Sequence, residues 1–261
     1  MLELIDTHCH LADERLRDDV EPILERAAAA GVLQIVSVGA IGSIATDRAT
    51  VEIARRQPSV YAAVGVHPHD AAECDENRLA QLRELAREDK VVAIGETGMD
   101  LHYLRSPRLA QESALRSHLR LARELNLPVV IHCRQAEAEI ARIVEEEGMP
   151  AAGGVIHCFS SDRANAERFL AMGFYLSISG IVTFKNAHAL RQAVTAIAED
   201  RLLVETDAPY LTPEPHRGRP NEPAYVSLTL AAVASCRASD SAVLGAITSA
   251  NARRLFRLPA A

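Results

Sequence analysis

Leu4-Ile5-Asp6-Thr7-His8-Cys9-His10 opens the chain with a short apolar run that closes on two histidines. The same order recurs down the sequence. Val60–Val66 leads to His67, Val91–Gly95 to Glu96, Pro128–Ile131 to His132, Val155-Ile156 to His157 and Leu202–Thr206 to Asp207. One polar residue closing a buried strand would be ordinary. On strand after strand, it sets metal-binding and proton-moving side chains at the C-terminal face of a parallel barrel. The pattern points to a metal-dependent hydrolase.

Between the apolar runs lie amphipathic segments. Strands are expected near 4–8, 33–38, 60–66, 91–96, 129–132, 154–157, 175–178 and 202–206. Helices are expected over 20–30, 44–57, 79–88, 107–125, 136–147, 164–171, 187–197, 223–237 and 241–256. In the long central helix Leu115, Leu119, Ala122 and Leu125 share one face. Gly31, Gly148 and Gly173 follow helices at the position where a left-handed backbone is wanted. Regular βα alternation predicts a parallel sheet with crossover helices, and eight strands favour closure into a (β/α)8 TIM barrel. The 261 residues match the roughly 250 of such a barrel, so a single domain over 1–261 is expected. The longest irregular stretch, Pro209–Pro223, carries five prolines, Arg217 and Arg219, and follows the last strand, where barrels often hold a phosphate.

Charges such as Asp6, Asp18 and Glu25 interrupt every apolar stretch short of a membrane span, and no signal peptide is visible before His8. No membrane association is expected. The cysteines at 9, 74, 133, 158 and 236 are odd in number and scattered, which favours a reducing cytoplasm over a disulfide framework. Cys9, Cys133 and Cys158 each adjoin a candidate histidine and should point to the opposite side of the strand, as packing residues. A net charge of −7 argues against a broad basic surface that coats nucleic acid, though a local phosphate pocket is compatible with it.

His8 and His10, two apart on a strand, project to the same side and make a divalent-metal grip. Glu96 can bridge two ions; a salt bridge to an arginine is the bland alternative. His132 and His157, taken singly, suit hydrogen-bonded core histidines, but beside the other ligands they suit metal. Asp207 supplies a second carboxylate able to hold an ion and take a proton from water, or else caps the turn before Pro209. His67, in Gly65-Val66-His67-Pro68-His69, belongs to the same rim as a substrate or leaving-group contact. His69, His102, His118, His188 and His216 read as surface or packing residues.

Several segments, in order, resemble the TatD family of metal-dependent deoxyribonucleases within the amidohydrolase-like superfamily, over essentially the whole chain. They are Asp6-Thr7-His8-Cys9-His10, Gly65-Val66-His67-Pro68-His69, Gly95-Glu96-Thr97-Gly98-Met99-Asp100 and Pro128–Arg134. His157-Cys158-Phe159-Ser160, Val204–Leu211 and Arg217–Pro223 complete the set. Ser161 and Met99 stand where members often carry glycine and leucine; neither departure removes a functional group. The resemblance implies that His8, His10 and Asp207 hold one ion and His132 and His157 the other, with Glu96 bridging. It also implies that Arg217 and its neighbours line a phosphate site. Related barrel hydrolases bridge their metals with a carboxylated lysine from strand four, but here that strand ends in Glu96, and Lys90 and Lys185 are the chain's lysines.

The expected reaction is phosphodiester hydrolysis by two divalent ions, with Asp207, Glu96 and His67 as the catalytic residues. His67, Arg134, Arg217 and Arg219 would contact substrate, the arginines gripping phosphate bidentately. The family makes Mg²⁺ the expected ion; the donor set also suits Zn²⁺ or Mn²⁺. From the family comes the expectation of 3′-to-5′ exonuclease action on single-stranded or damaged DNA, with strand ends as the partner. A D-aminoacyl-tRNA deacylase, with tRNA as partner, is the alternative ester hydrolase, and a non-catalytic metal-binding scaffold the alternative of another class.

Overall fold

Each apolar run becomes a strand. The computed structural model describes residues 3–260. Its strands are β1 (Leu4–Cys9), β2 (Val32–Val38), β3 (Val60–Val64), β4 (Val91–Asp100), β5 (Val129–Arg134), β6 (Gly154–Ile156), β7 (Tyr175–Ile178) and β8 (Leu202–Val204). They follow chain order in one sheet, with helices between them, which is the (β/α)8 barrel topology. The helices are α1 (Val20–Ala29), α2 (Ile44–Arg56), α3 (Glu76–Leu85), α4 (Arg108–Leu125), α5 (Glu137–Glu147), α6 (Arg163–Ala171), α7 (His188–Val194), α8 (Val226–Arg237) and α9 (Ser241–Phe256). Among the described residues no single helix is long and apolar enough to cross a membrane.

The chain divides into two compact units: Met1–Ser37 with His157–Ala261, and Val38–Ile156. In the first, β1 pairs in parallel with β2, and β7 with β8. A bridge from Cys9 to Ala208 and a hydrogen bond from the Thr7 hydroxyl to the Val204 carbonyl set β8 beside β1. Leu4, Leu176, Leu203, Leu244 and the edge-to-face pair Phe169–Phe174 fill its core. In the second unit β3 pairs with β4, β4 with β5 and β5 with β6, all parallel. The expected face of α4 is buried at Leu115, Leu119 and Ala122 and half-buried at Leu125. Each such leucine contributes about 1.5–3 kcal/mol by leaving water.

The boundaries that differ have local causes. β4 runs to Asp100 rather than to 96, since Gly98, Met99 and Asp100 continue to pair with His132, Cys133 and Arg134. This needs close approach of the two backbones. A Cβ on Gly95 would stand 2.5 Å from the Val130 carbonyl oxygen, and one on Gly98 would collide with the His132 carbonyl oxygen. β6 and β8 end sooner than expected because Cys158 (φ 46°) and Asp207 (φ 58°) turn left-handed just past them. α3 starts at Glu76, not 79, because the Asp75 carboxylate accepts the Arg78 backbone N–H and caps the helix. α7 stops at Val194 instead of 197, and Pro223–Tyr225 forms a 3₁₀ turn ahead of α8.

Candidate metal centre

In the first unit, β1 delivers a fully buried His8, and His10 follows just past its end. Their side chains leave on one side, as alternation requires, and the two Nε2 atoms lie 3.3 Å apart. Asp207 comes from the end of β8. Its backbone N–H donates to the His8 carbonyl at 2.8 Å, and the His10 N–H donates to the Ala208 carbonyl at 2.7 Å. Its Oδ1 then stands 3.4 Å from His10 Nε2 and 3.8 Å from His8 Nε2. Asp6 fixes the approach by accepting both the N–H and the hydroxyl of Thr206, while Asn221 donates to the Thr206 carbonyl. Burial pushes the Asp6 carboxyl up to about 8.

Burial also works to raise Asp207. The His10 hydrogen bond and the nearby His8, His10 and His157 rings outweigh it and hold the carboxyl below its ordinary value. The His157 ring stacks on His8, with centroids 3.9 Å apart and planes 15° from parallel. Its Nδ1 faces the Glu205 carboxylate at 3.3 Å, and that same oxygen accepts the Cys158 N–H at 2.8 Å.

The donor set fits a divalent ion. Two imidazole nitrogens and one carboxylate oxygen, all within 4.8 Å of one another, are borderline-to-hard ligands of the kind Zn²⁺ and Mn²⁺ take. Ligand bonds of about 2.0–2.2 Å put neighbouring donors roughly 3–3.5 Å apart, close to the separations seen.

The second unit holds a group of its own. Glu96, on β4, is 2% exposed, and its Oε1 lies 2.9 Å from His132 Nδ1 and 3.4 Å from His67 Nε2. These three also offer donor atoms within 4.8 Å of one another. His67 thus stands at the Glu96 carboxylate as a third candidate donor, where the sequence suggests a catalytic residue contacting substrate or the leaving group. Burial lowers the His67 imidazole's proton affinity, only partly opposed by Glu96, which favours the neutral ring that can hold metal or donate. His67 stays in place because its Nδ1 accepts the His69 N–H and because the N–H of Val66 donates to His118 Nε2.

Three residues escaped the sequence reading. Asp100, at the end of β4, contacts His69 Nε2 at 2.9 Å and His132 Nε2 at 3.4 Å through one oxygen and accepts the His102 and Tyr103 N–H groups with the other. Burial alone would raise it, but those hydrogen bonds keep it well below the carboxylate range. His69, expected as a surface or packing residue, is therefore part of this network. Glu205 is fully buried behind His157. The available signal was spacing: Asp100 lies two strand periods beyond Glu96, and Glu205 one before Asp207.

The expected substrate arginines are exposed at strand ends and loops. Arg134 closes β5 with its guanidinium over the Tyr103 ring. Arg217 lies over Phe184 and donates to the Thr212 carbonyl, and Arg219 is exposed in the same proline-rich loop. The five cysteines are free; burial pushes the Cys9 and Cys133 thiols up, which suits packing rather than ligation.

A (β/α)8 chain whose strand ends gather histidine and carboxylate donors into such groups is of the metal-dependent hydrolase class. Comparison with known proteins gives the family. Residues 5–257 match the model for TatD related DNase. YabD of Bacillus subtilis, named a metal-dependent hydrolase, is 43% identical over 259 residues, spanning 98% of this chain and 99% of its own. A Cronobacter sakazakii protein named 3′-5′ ssDNA/RNA exonuclease TatD is 38% identical over 258 residues, 97% of each chain. The crystal structure of the TatD homologue YjjV from Escherichia coli superposes with a TM-score of 0.93 at 30% identity, covering 99% of both chains. The protein belongs to the TatD family of metal-dependent hydrolases.

Proposed function

We propose that this protein is a two-ion phosphodiesterase that shortens single-stranded or damaged DNA from its 3′ end, with residues 1–261 serving one catalytic domain. The His8–His10–Asp207 group carries the reading: a half-buried carboxylate held below its ordinary value beside two buried imidazoles is built for a cation and for a proton. One ion is assigned to these three residues. The other is assigned to His132 and His157, with Glu96 shared, as the family resemblance implies. Mg²⁺ is the working ion we favour, with Mn²⁺ or Zn²⁺ suited to the same donors. When bound, such ions supply a nucleophilic water at neutral pH and neutralise charge on the phosphate.

The remaining chemistry belongs to side chains. Asp207 accepts the proton of the attacking water as general base. His67, whose burial lowers its proton affinity, contacts the scissile phosphate or the departing oxygen. Arg134, Arg217 and Arg219 bind non-bridging phosphate oxygens, a task their planar forks suit. The name of the Cronobacter relative supports the choice of nucleic acid and of direction. The free cysteines support a reducing cytoplasm as its place of work.

Metal-depleted protein given 5′-labelled single-stranded DNA, with Mg²⁺, Mn²⁺ or Zn²⁺ restored in turn, tests this. A ladder that shortens one nucleotide at a time, absent without ion and absent in Asp207→Asn, is the expected result. DNA left intact under all three ions would overturn the reading, and release of amino acid from D-aminoacyl-tRNA in a parallel reaction would replace it.

A further inference from the structure

Directly beyond Asp100 the chain exposes an aromatic ring where a folded protein has little reason to show one. Tyr103 is 51% exposed and its neighbour Leu104 52%, on a loop that leaves the end of β4. The loop is anchored: the carboxylate of Asp100 accepts the N–H groups of His102 and Tyr103. Arg134 stands 4.6 Å and Arg105 5.7 Å from the Tyr103 ring centre. His102 and His69 meet the ring edge-on at 4.8 and 5.7 Å.

The arginines differ from those elsewhere on this unit. Arg116, Arg120 and Arg142 are committed to Glu112, Glu146 and Glu147. Arg105 and Arg134 form no ion pair among the described residues and lie instead beside the half-exposed Tyr103 ring. The same Asp100 that holds the Tyr103 loop touches His132 of the candidate metal centre, so ring and centre are fixed by one carboxylate. Tyr210, the other exposed tyrosine near a candidate ligand, is tied down by its hydroxyl, which donates to Asp13 at 3.2 Å.

We infer that Tyr103, flanked by Arg134 and Arg105, is a stacking platform for an unpaired nucleobase of the substrate strand, with the two guanidiniums on the phosphates next to that base. The inference rests on the nuclease reading above and adds which part of the nucleotide is recognised. A planar base has a π face for the ring whatever its sequence, whereas a paired, stacked base offers none, so the platform selects single-stranded ends. Exposure of Tyr103 and Leu104 is then the open half of a base–aromatic contact.

The test uses full-length protein and an oligodeoxynucleotide carrying 2-aminopurine at its 3′ end. Binding in EDTA should quench the probe for wild type and for Tyr103→Phe, which keeps the ring, and leave it bright for Tyr103→Ala. In turnover with metal restored, Tyr103→Ala should raise KM for single-stranded DNA about tenfold, from the usual loss of one stacked base, with kcat little changed. Hydrolysis of methyl p-nitrophenyl phosphate, which has no nucleobase, should be the same in all three proteins. Bound oligonucleotide that stays bright with wild type, or equal KM in Tyr103→Ala, overturns the platform while diester hydrolysis leaves the phosphodiesterase reading standing. Wild type that cleaves neither DNA nor the simple diester sinks that reading instead.

Discussion

Asp207 holds a left-handed backbone (φ 58°), a conformation that asparagine shares readily and alanine does not. Asp207→Asn is therefore the clean test of the proposed base: turnover should fall by about 10²–10⁴ while thermal unfolding stays near wild type. Glu205 acts through its neighbour, orienting His157 by accepting from its Nδ1. If His157 holds an ion as proposed, Glu205→Gln should weaken metal binding in calorimetric titration by about 10–100-fold, the usual effect of losing a carboxylate behind a ligand histidine. His118 gives a pH prediction that is independent of any ion. Burial pushes its ring from 6.5 down to about 4, where it accepts from Val66 N–H and contacts the Ala114 carbonyl. The unfolded chain gains a proton near 6.5 and the native ring only near 4, so this stability is complete above about pH 6.5 and lost as pH falls toward 4. The loss amounts to about 3 kcal/mol, and His118→Gln should flatten it in urea titrations. The candidate donors stood out in the sequence because a charged or metal-binding side chain at the end of an apolar run has no cheap structural use. Asp100, Glu205 and His69 did not, since the role of each is set by the partner it meets across the fold.

At the scale of elements, all eight strands could be read from apolar runs, and their order from βα alternation. Their ends could not. β4 outran its apolar run because two glycines let it press against β5, and pairing with β5 extended it to Asp100. β8 stopped short because Asp207 must leave the strand to turn its carboxylate toward His8 and His10. Gly98 tests the first point. Its φ of 142° and the His132 carbonyl beside it leave no room for a methyl group. Gly98→Ala should cost at least about 2 kcal/mol in denaturant unfolding, by strain and by parting β4 from β5. It should also lower metal affinity, because Glu96 and His132 sit on those two strands. A metal affinity unchanged in a folded Gly98→Ala protein would separate the β4–β5 contact from the site.

For the molecule as a whole, a net charge of −7 with the exposed Arg105, Arg134, Arg217 and Arg219 predicts a particular salt dependence. The four proposed phosphate contacts, from Arg105, Arg134, Arg217 and Arg219, would give a slope of log K against log salt of about −3 for a single strand. A slope several times steeper would mean a basic surface the charge distribution does not offer. The central claim is that buried strand-end donors hold the ions of a hydrolytic centre. Anomalous diffraction from crystals soaked in Mn²⁺ tests it most directly. The account predicts one peak bonded to His8, His10 and Asp207 and a second bonded to His132 and His157, with Glu96 shared as proposed above, and the first lost in Asp207→Asn. No peak at these side chains, in crystals whose soak solution saturates the protein by calorimetry, would contradict it.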